Sequence, residues 1–255
     1  MSNLYHLCLI SFLMMTIGFF TYRMDWITGD AIFALWFIGT ASGVNGFFWI
    51  FPLGYFLVTG SILTRIQTAH KRKIKGKARE RSARDWKQLF ANGAVAAVFA
   101  LMYYFTENIL FYHLYLTAIA VNLFDTWCSE IGTLFPSKTY SLDRFREVPQ
   151  GISGGITLWG TLGGVGGLVG YLLMIYILSL LKLIPNISLW RYGLIFISAI
   201  GGGFFDSLLG IFEKEEGYEE DDGAIQKADW LKNNMVNFLA SIFGSLIFLM
   251  LHAYL

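Results

Sequence analysis

The chain has 255 residues, of which 55% are hydrophobic and only 15% charged, with a formal net charge of +1. That balance excludes an ordinary water-soluble domain of this length. It predicts an all-α, polytopic transmembrane helix bundle of about seven or eight spans, forming a single integral membrane domain over residues 1–255.

A span takes about 20 mostly apolar residues. In chain order the candidate runs are 4–20, 31–44, 46–63, 90–105, 109–123, 156–181, 190–212 and 236–255. The first lacks a positive leader and a small-residue cleavage site, and reads as a retained helix. The second and third are short and interrupted by Gly43, Gly46, Pro52 and Gly54. One of them is therefore expected to be re-entrant or tilted, with its freed backbone groups satisfied inside the protein. Cys8 and Cys128 show no metal or disulfide spacing and read as small core residues. The histidines His6, His70, His113 and His252 are scattered.

More than half of the Lys and Arg lie between Arg65 and Lys87, and the positive-inside rule places this basic loop in the cytoplasm. Counting spans from there puts the N-terminus outside a cell membrane. It also puts the loop 135–150 and the acidic loop 213–229 inside. The basic loop reads as a topology determinant lying against anionic lipid headgroups, or as a clamp, Lys71 to Arg84, for a phosphate-bearing substrate. The acidic stretch EKEEGYEEDD lacks the ligand pattern of a calcium loop and reads as a solvated connection.

The same count brings Asp125, Glu130 and Asp206 to the cytoplasmic ends of their helices. An ionised carboxylate at membrane depth costs about 2.5–3.5 kcal/mol, so each needs a partner or a ligand. In DTWCSEIG, about 100° per residue places Ser129 near the face of Asp125 and Glu130 about 140° away. Either the helix loosens before Gly132 or the two acids serve different partners. A structural ion pair of Glu130 with Arg144 or Arg146 is the bland alternative.

The run GISGGITLWGTLGGVGGLVG combines glycines with Ser153, Thr157 and Thr161. At a helix start these leave N–H groups free for phosphate oxygens. The same glycines fit small-xxx-small packing at Gly160 with Gly164, Gly163 with Gly167, and Gly166 with Gly170. Packing is assigned to the deeper ones, and phosphate contact to Gly151–Thr161. Asp206 and Ser207 follow Gly201, Gly202 and Gly203. Farther on, Asn233 and Asn237 share a helical face, and Asn233, Asn234 and Asn237 are the amides of a helix entrance, where capping competes with a functional role. Together these residues suggest a metal-phosphate site at the membrane edge: carboxylates for Mg²⁺, dipoles and hydroxyls for phosphoryl oxygens, Arg or Lys for charge.

Read in order, LFANGAVAA, FDTWCSEIGTL, VPQGISGGITLWGTLGG, GGFFDSLLG and NNMVNFLAS resemble the landmarks of the integral membrane family that contains the plastid phytyl-phosphate kinases. The resemblance runs from about Leu63 to the C-terminus. It implies a polyprenyl-phosphate kinase that takes an isoprenyl monophosphate to the diphosphate with a nucleoside triphosphate, CTP being a reasonable donor. It maps the acidic motif onto Asp125, Ser129 and Glu130. The glycine-rich motif falls on Gly154, Gly155, Gly160 and Thr161, the later acidic motif on Asp206 and Ser207, and the amides on Asn92 and Asn237. Where an acid is expected beside the amides, this chain has Asn233 and Asn234. The implied roles are Asp125 and Asp206 as Mg²⁺ ligands, Glu130 orienting a basic group or second metal, and Arg144 with Arg146 stabilising transferring charge. Membrane lipid is an expected partner and nucleic acid is not. A cytidylyltransferase forming a CDP-linked lipid and a small-ion or solute transporter are the rival readings.

Overall fold

The computed structural model describes residues 2–75, 83–143, 145–212 and 232–255. In chain order it contains α1 (Ser2–Arg23), α2 (Ala31–Gly43), a 3-10 turn (Phe47–Ile50) leading into α3 (Phe51–Arg65), α4 (Ala69–Lys75), α5 (Trp86–Thr106) and α6 (Ile109–Gly132). The strands β1 (Thr139–Ser141), β2 (Glu147–Val148) and β3 (Gly155–Thr157) follow, then α7 (Leu158–Leu180), α8 (Leu189–Gly210) and α9 (Asn233–Tyr254). Seven helical runs among the described residues are long and apolar enough to cross a membrane: α1, the turn plus α3, and α5 to α9.

Local chemistry sets the ends. A capping box starts α5, with the Asp85 side chain accepting from Gln88 N and Gln88 reaching back. That helix stops at Glu107, in the left-handed region at φ 53°, and Asn108 then caps α6 by accepting from Leu110 N.

The eighth expected span is the short one. With 13 residues, α2 rises only about 20 Å, less than the roughly 30 Å of hydrocarbon. It lies antiparallel to α1, with Trp36 Nε1 donating to Ser11 Oγ and His6 meeting Gly43 O. It breaks at Val44–Gly46, where Asn45 donates its amide to Ala100 O at 2.8 Å, and Tyr115 donates to Trp49 O just beyond. Protein groups thus satisfy backbone that lipid could not.

The hub is α6, buried along 72% of its most apolar stretch against 22–44% for the other long helices. Around it pack α5, α7, α8 and α9. Glycines set the closeness of α7: a Cβ on Gly160 would lie 2.6 Å from Cys128 O, on Gly163 2.6 Å from Ile131, on Gly164 2.3 Å from Cys128 Sγ, and on Gly167 2.6 Å from Trp127. The expected pairs 160/164 and 163/167 therefore face α6. The pair 166/170 does not act as one, because Gly166 faces open space while Gly170 meets Tyr55. On the other side, Gly202 packs on Val121 and Gly203 on Phe124, bringing α8 against α6. The two cysteines part ways: Cys128 packs under α7, whereas Cys8 is exposed on α1 and is not the core residue expected.

The ends of α1, α3, α6 and α8 meet the starts of α5, α7 and α9 at one end of the bundle, which also carries the basic loop. There Arg65 Nη2 donates to Met24 O at 2.5 Å, and Arg84 N donates to Trp26 O while Thr28 N donates to Arg84 O. The three-stranded antiparallel sheet, in the order β2-β1-β3, sits at this end too. Gln150 ties it down, donating to Gly132 O and Phe135 O and accepting from Ser137 N and His70 Nε2.

Candidate functional site

At the basic-loop end, four helices contribute polar side chains to one buried chain of contacts. Asn122 of α6 donates to the Asn92 carbonyl of α5 at 2.9 Å. The Asn92 and Asn237 side-chain amides meet at 3.1 Å across α5 and α9. With the side-chain amides of Asn237 and Asn92 both turned, the Asn237 oxygen accepts from the Asn92 amide nitrogen and the Asn237 nitrogen donates to Asp206 Oδ2 of α8 at 3.1 Å. Asp206 and Asn237 are buried, and Asn122 almost wholly so.

Asp125 belongs to the same region. It follows Phe124, on which Gly203 packs, and Asp206 lies three residues beyond Gly203. Because α6 and α8 run in the same direction, both carboxylates stand within about a turn of each other in depth. Cys128 is in electrostatic range of both. Ser129, expected to share a ligand role with Asp125, is exposed and donates to Thr126 O.

Glu130 serves a different partner, as an unbroken helix requires. Its Oε2 lies 2.6 Å from Lys71 Nζ, and its Oε1 accepts from Thr64 Oγ1 at 3.2 Å. Lys71 is fully buried and also donates to Leu63 O and Ile66 O, the free carbonyls at the end of α3. Lys71 is thus a partner of Glu130 that the sequence did not single out. Of the two expected partners, Arg146 is exposed just before β2, and Arg144 lies outside the described residues. The acidic loop 213–229 also lies outside them.

The glycine-rich run is taken up by structure. Thr157 is the N-cap of α7 and accepts from Gly160 N at 3.0 Å, and Thr161 donates back to Thr157 O. These groups begin a helix, so phosphate contact there would compete with the cap. Gly154 has φ 76°, and a Cβ on it would lie 2.7 Å from Ser207 O, so it seats the sheet on the end of α8. Gly155 pairs with Ser141 inside the sheet. The asparagines before α9 are not caps: Lys232 holds that position without a side-chain bond, and Asn233 and Asn234 are already helical.

Three functional candidates escaped individual notice in the sequence. Lys71 and Arg84 stand in a run of similar cations, and only the Asp85–Gln88 capping box marks Arg84 as the residue at the mouth of α5. Asn122 left no signal beyond being an amide in an apolar run.

Comparison with known proteins places the chain. It is 30% identical to an uncharacterized membrane protein of Methanocaldococcus jannaschii over 79% of this chain and 75% of that one. It is 25% identical to protein PGR of Arabidopsis thaliana over 75% and 77%, and 24% identical to the chloroplastic protein VTE6 of the same plant over 90% and 66%. No solved structure matches the chain. The model of the family described as integral membrane protein DUF92 matches residues 12–245, and the chain belongs to that family.

Proposed function

We propose that the protein is a membrane-embedded kinase that transfers the terminal phosphoryl group of a nucleoside triphosphate, with CTP as the favoured donor, to an isoprenyl monophosphate. The observation that carries this reading is the meeting of Asp206, Asn237 and Asn92 from three helices, with Asp125 on the adjoining α6. Intramembrane acids are costly and mark function by default. The substrate class comes from the ordered motifs resembling those of the phytyl-phosphate kinases.

In this reaction an oxygen of the lipid monophosphate bonds to the terminal phosphorus. The bond from that phosphorus to its bridging oxygen breaks, and the nucleoside diphosphate leaves with the electron pair. The acceptor is already anionic, so positioning and charge neutralisation suffice without a strong general base.

Among the described residues no three His, Cys, Asp or Glu side chains form a metal cluster. Two carboxylates with nearby amide oxygens still suit Mg²⁺, a hard ion that is usually bound through one or two carboxylates together with waters and substrate phosphates. Asp125 and Asp206 would hold it, and when bound it supplies neutralisation of the donor phosphates. Asn92 and Asn237 orient Asp206, and Glu130 fixes Lys71 rather than binding metal. The basic-loop end is taken to face the cytoplasm, where the nucleotide is.

The test is product analysis by mass spectrometry with purified protein, Mg²⁺, isoprenyl monophosphates and each nucleoside triphosphate. A lipid diphosphate with a nucleoside diphosphate is the expected pair. A CDP-lipid with pyrophosphate would assign cytidylyl transfer instead. Solute flux in vesicles with no nucleotide turnover would assign transport.

A further inference from the structure

An apolar groove opens between α1, α2, α3 and α5, enclosing about 620 Å³ of empty space with its open mouth included. Its walls are Met14, Ile17, Ile38, Leu53 and Leu57 with their neighbours, and only two polar residues line it, Arg84 and Asn92. Asn92 is the residue that joins the groove to Asn237 and Asp206.

Arg84 is held in place by its backbone and its surroundings. Its N–H and carbonyl pair with Trp26 and Thr28. Its guanidinium lies 5.4 Å over the Phe56 ring and against Gly60, where a Cβ would come 2.5 Å from Nη2. Among the described residues no acceptor takes a hydrogen bond from this guanidinium. Glu130 is in electrostatic range of it, and that carboxylate is already 2.6 Å from Lys71. A five-donor cation at the wall of an apolar groove matches a ligand with an anionic, oxygen-rich head and a hydrocarbon tail.

We propose that this groove is the binding site of the single-chain isoprenyl monophosphate, with the tail between α1, α2, α3 and α5 and the phosphate held by Arg84 and Asn92. The proposal rests on the kinase reading for the isoprenoid class and adds where the acceptor lies. The head then stands at Asn92, whose side chain joins the groove to Asn237 of α9 and through it to Asp206 of α8. Gly54 borders the tail space, and a Cβ there meets nothing within 4 Å. A side chain added at this position starts in open space on the groove wall.

The experiment measures binding without nucleotide, so it stands or falls apart from catalysis. The full chain in nanodiscs is titrated with phytyl monophosphate, phytol, inorganic phosphate and phosphatidic acid, in wild type, Arg84→Gln and Gly54→Leu. Thermal unfolding confirms that each variant is folded. Phytyl monophosphate is expected to bind wild type and to lose about tenfold or more in affinity in each variant, through one charge-assisted contact in Arg84→Gln and through blocked tail space in Gly54→Leu. Phytol binding is expected to be indifferent to Arg84→Gln, and neither inorganic phosphate nor phosphatidic acid is expected to compete. Wild-type affinity in both variants, or competition by phosphatidic acid equal to that of the monophosphate, overturns the proposal. Photo-cross-linking of wild type with a diazirine-tailed isoprenyl monophosphate gives a check free of mutation. Adducts are expected on 14–17 and 53–57, and adducts only on outward residues such as Leu162 and Val169 refute the site. Turnover unaffected by both variants would remove the groove but leave the kinase reading standing. Binding as expected in a protein without kinase turnover would do the reverse.

Discussion

Lys71 Nζ lies 2.6 Å from Glu130 Oε2, joining a short helix of the basic loop to the last turn of the central helix α6. Both side chains are buried, and Lys71 also caps the end of α3. Three elements therefore converge on one ammonium group, which fixes the floor of the site at that end of the bundle.

Removing one member strands the other charge away from water. Lys71→Met and Glu130→Leu are each expected to cost about 3–5 kcal/mol, and the double variant less than their sum, because neither member of the pair is then left facing an empty partner site. Thermal unfolding of the purified variants checks this, and additive losses would show that the pair is not coupled.

The glycine face of α7 predicts a sharp contrast between neighbours. Gly167→Leu drives a side chain into Trp127 and is expected to destabilise the fold by about 1–3 kcal/mol or more. Gly166→Ala faces open space and is expected to be neutral or to stabilise by up to about 1 kcal/mol through helix propensity. Unfolding midpoints of the two variants decide it.

Asn237 is the bridge between Asn92 and Asp206. Asn237→Leu is expected to leave a folded protein whose turnover falls about 10²-fold, since the carboxylate loses its orienting partner. The readout is kcat beside circular dichroism, and full turnover in a folded variant would remove Asn237 from the site.

The helix bundle was legible in the sequence because each long apolar run has the length a bilayer demands, and the membership of Asp125 and Asp206 in one region followed from counting those runs. The geometry around Glu130 was half legible. A straight helix separates it from Asp125 by angle alone, but nothing in the chain singles out Lys71 among neighbouring cations, because partner choice depends on where α4 folds back onto α3. The glycine run was ambiguous for a physical reason: the same small residues permit close helix packing and free N–H groups. Only the tertiary contact of Gly160 with Cys128 O and the Thr157 cap distinguish the two. The apolar groove was invisible, since it is lined by residues from four separate helices.

Metal dependence follows from the donor set. Chelation with EDTA is expected to abolish turnover, and excess Mg²⁺ to restore it, with the purified protein's unfolding midpoint unchanged by the chelator. A fall in that midpoint on chelation would mean that a metal holds the fold instead of serving the reaction.

The central claim is that carboxylates from α6 and α8 act together on phosphate-bound Mg²⁺. Its most direct test is single-turnover formation of isoprenyl diphosphate by wild type, Asp125→Asn and Asp206→Asn at saturating Mg²⁺. The account predicts that each substitution lowers the rate by about 10²-fold or more in a folded protein, with the double variant little worse than either single one. Wild-type rates in both single variants would contradict it.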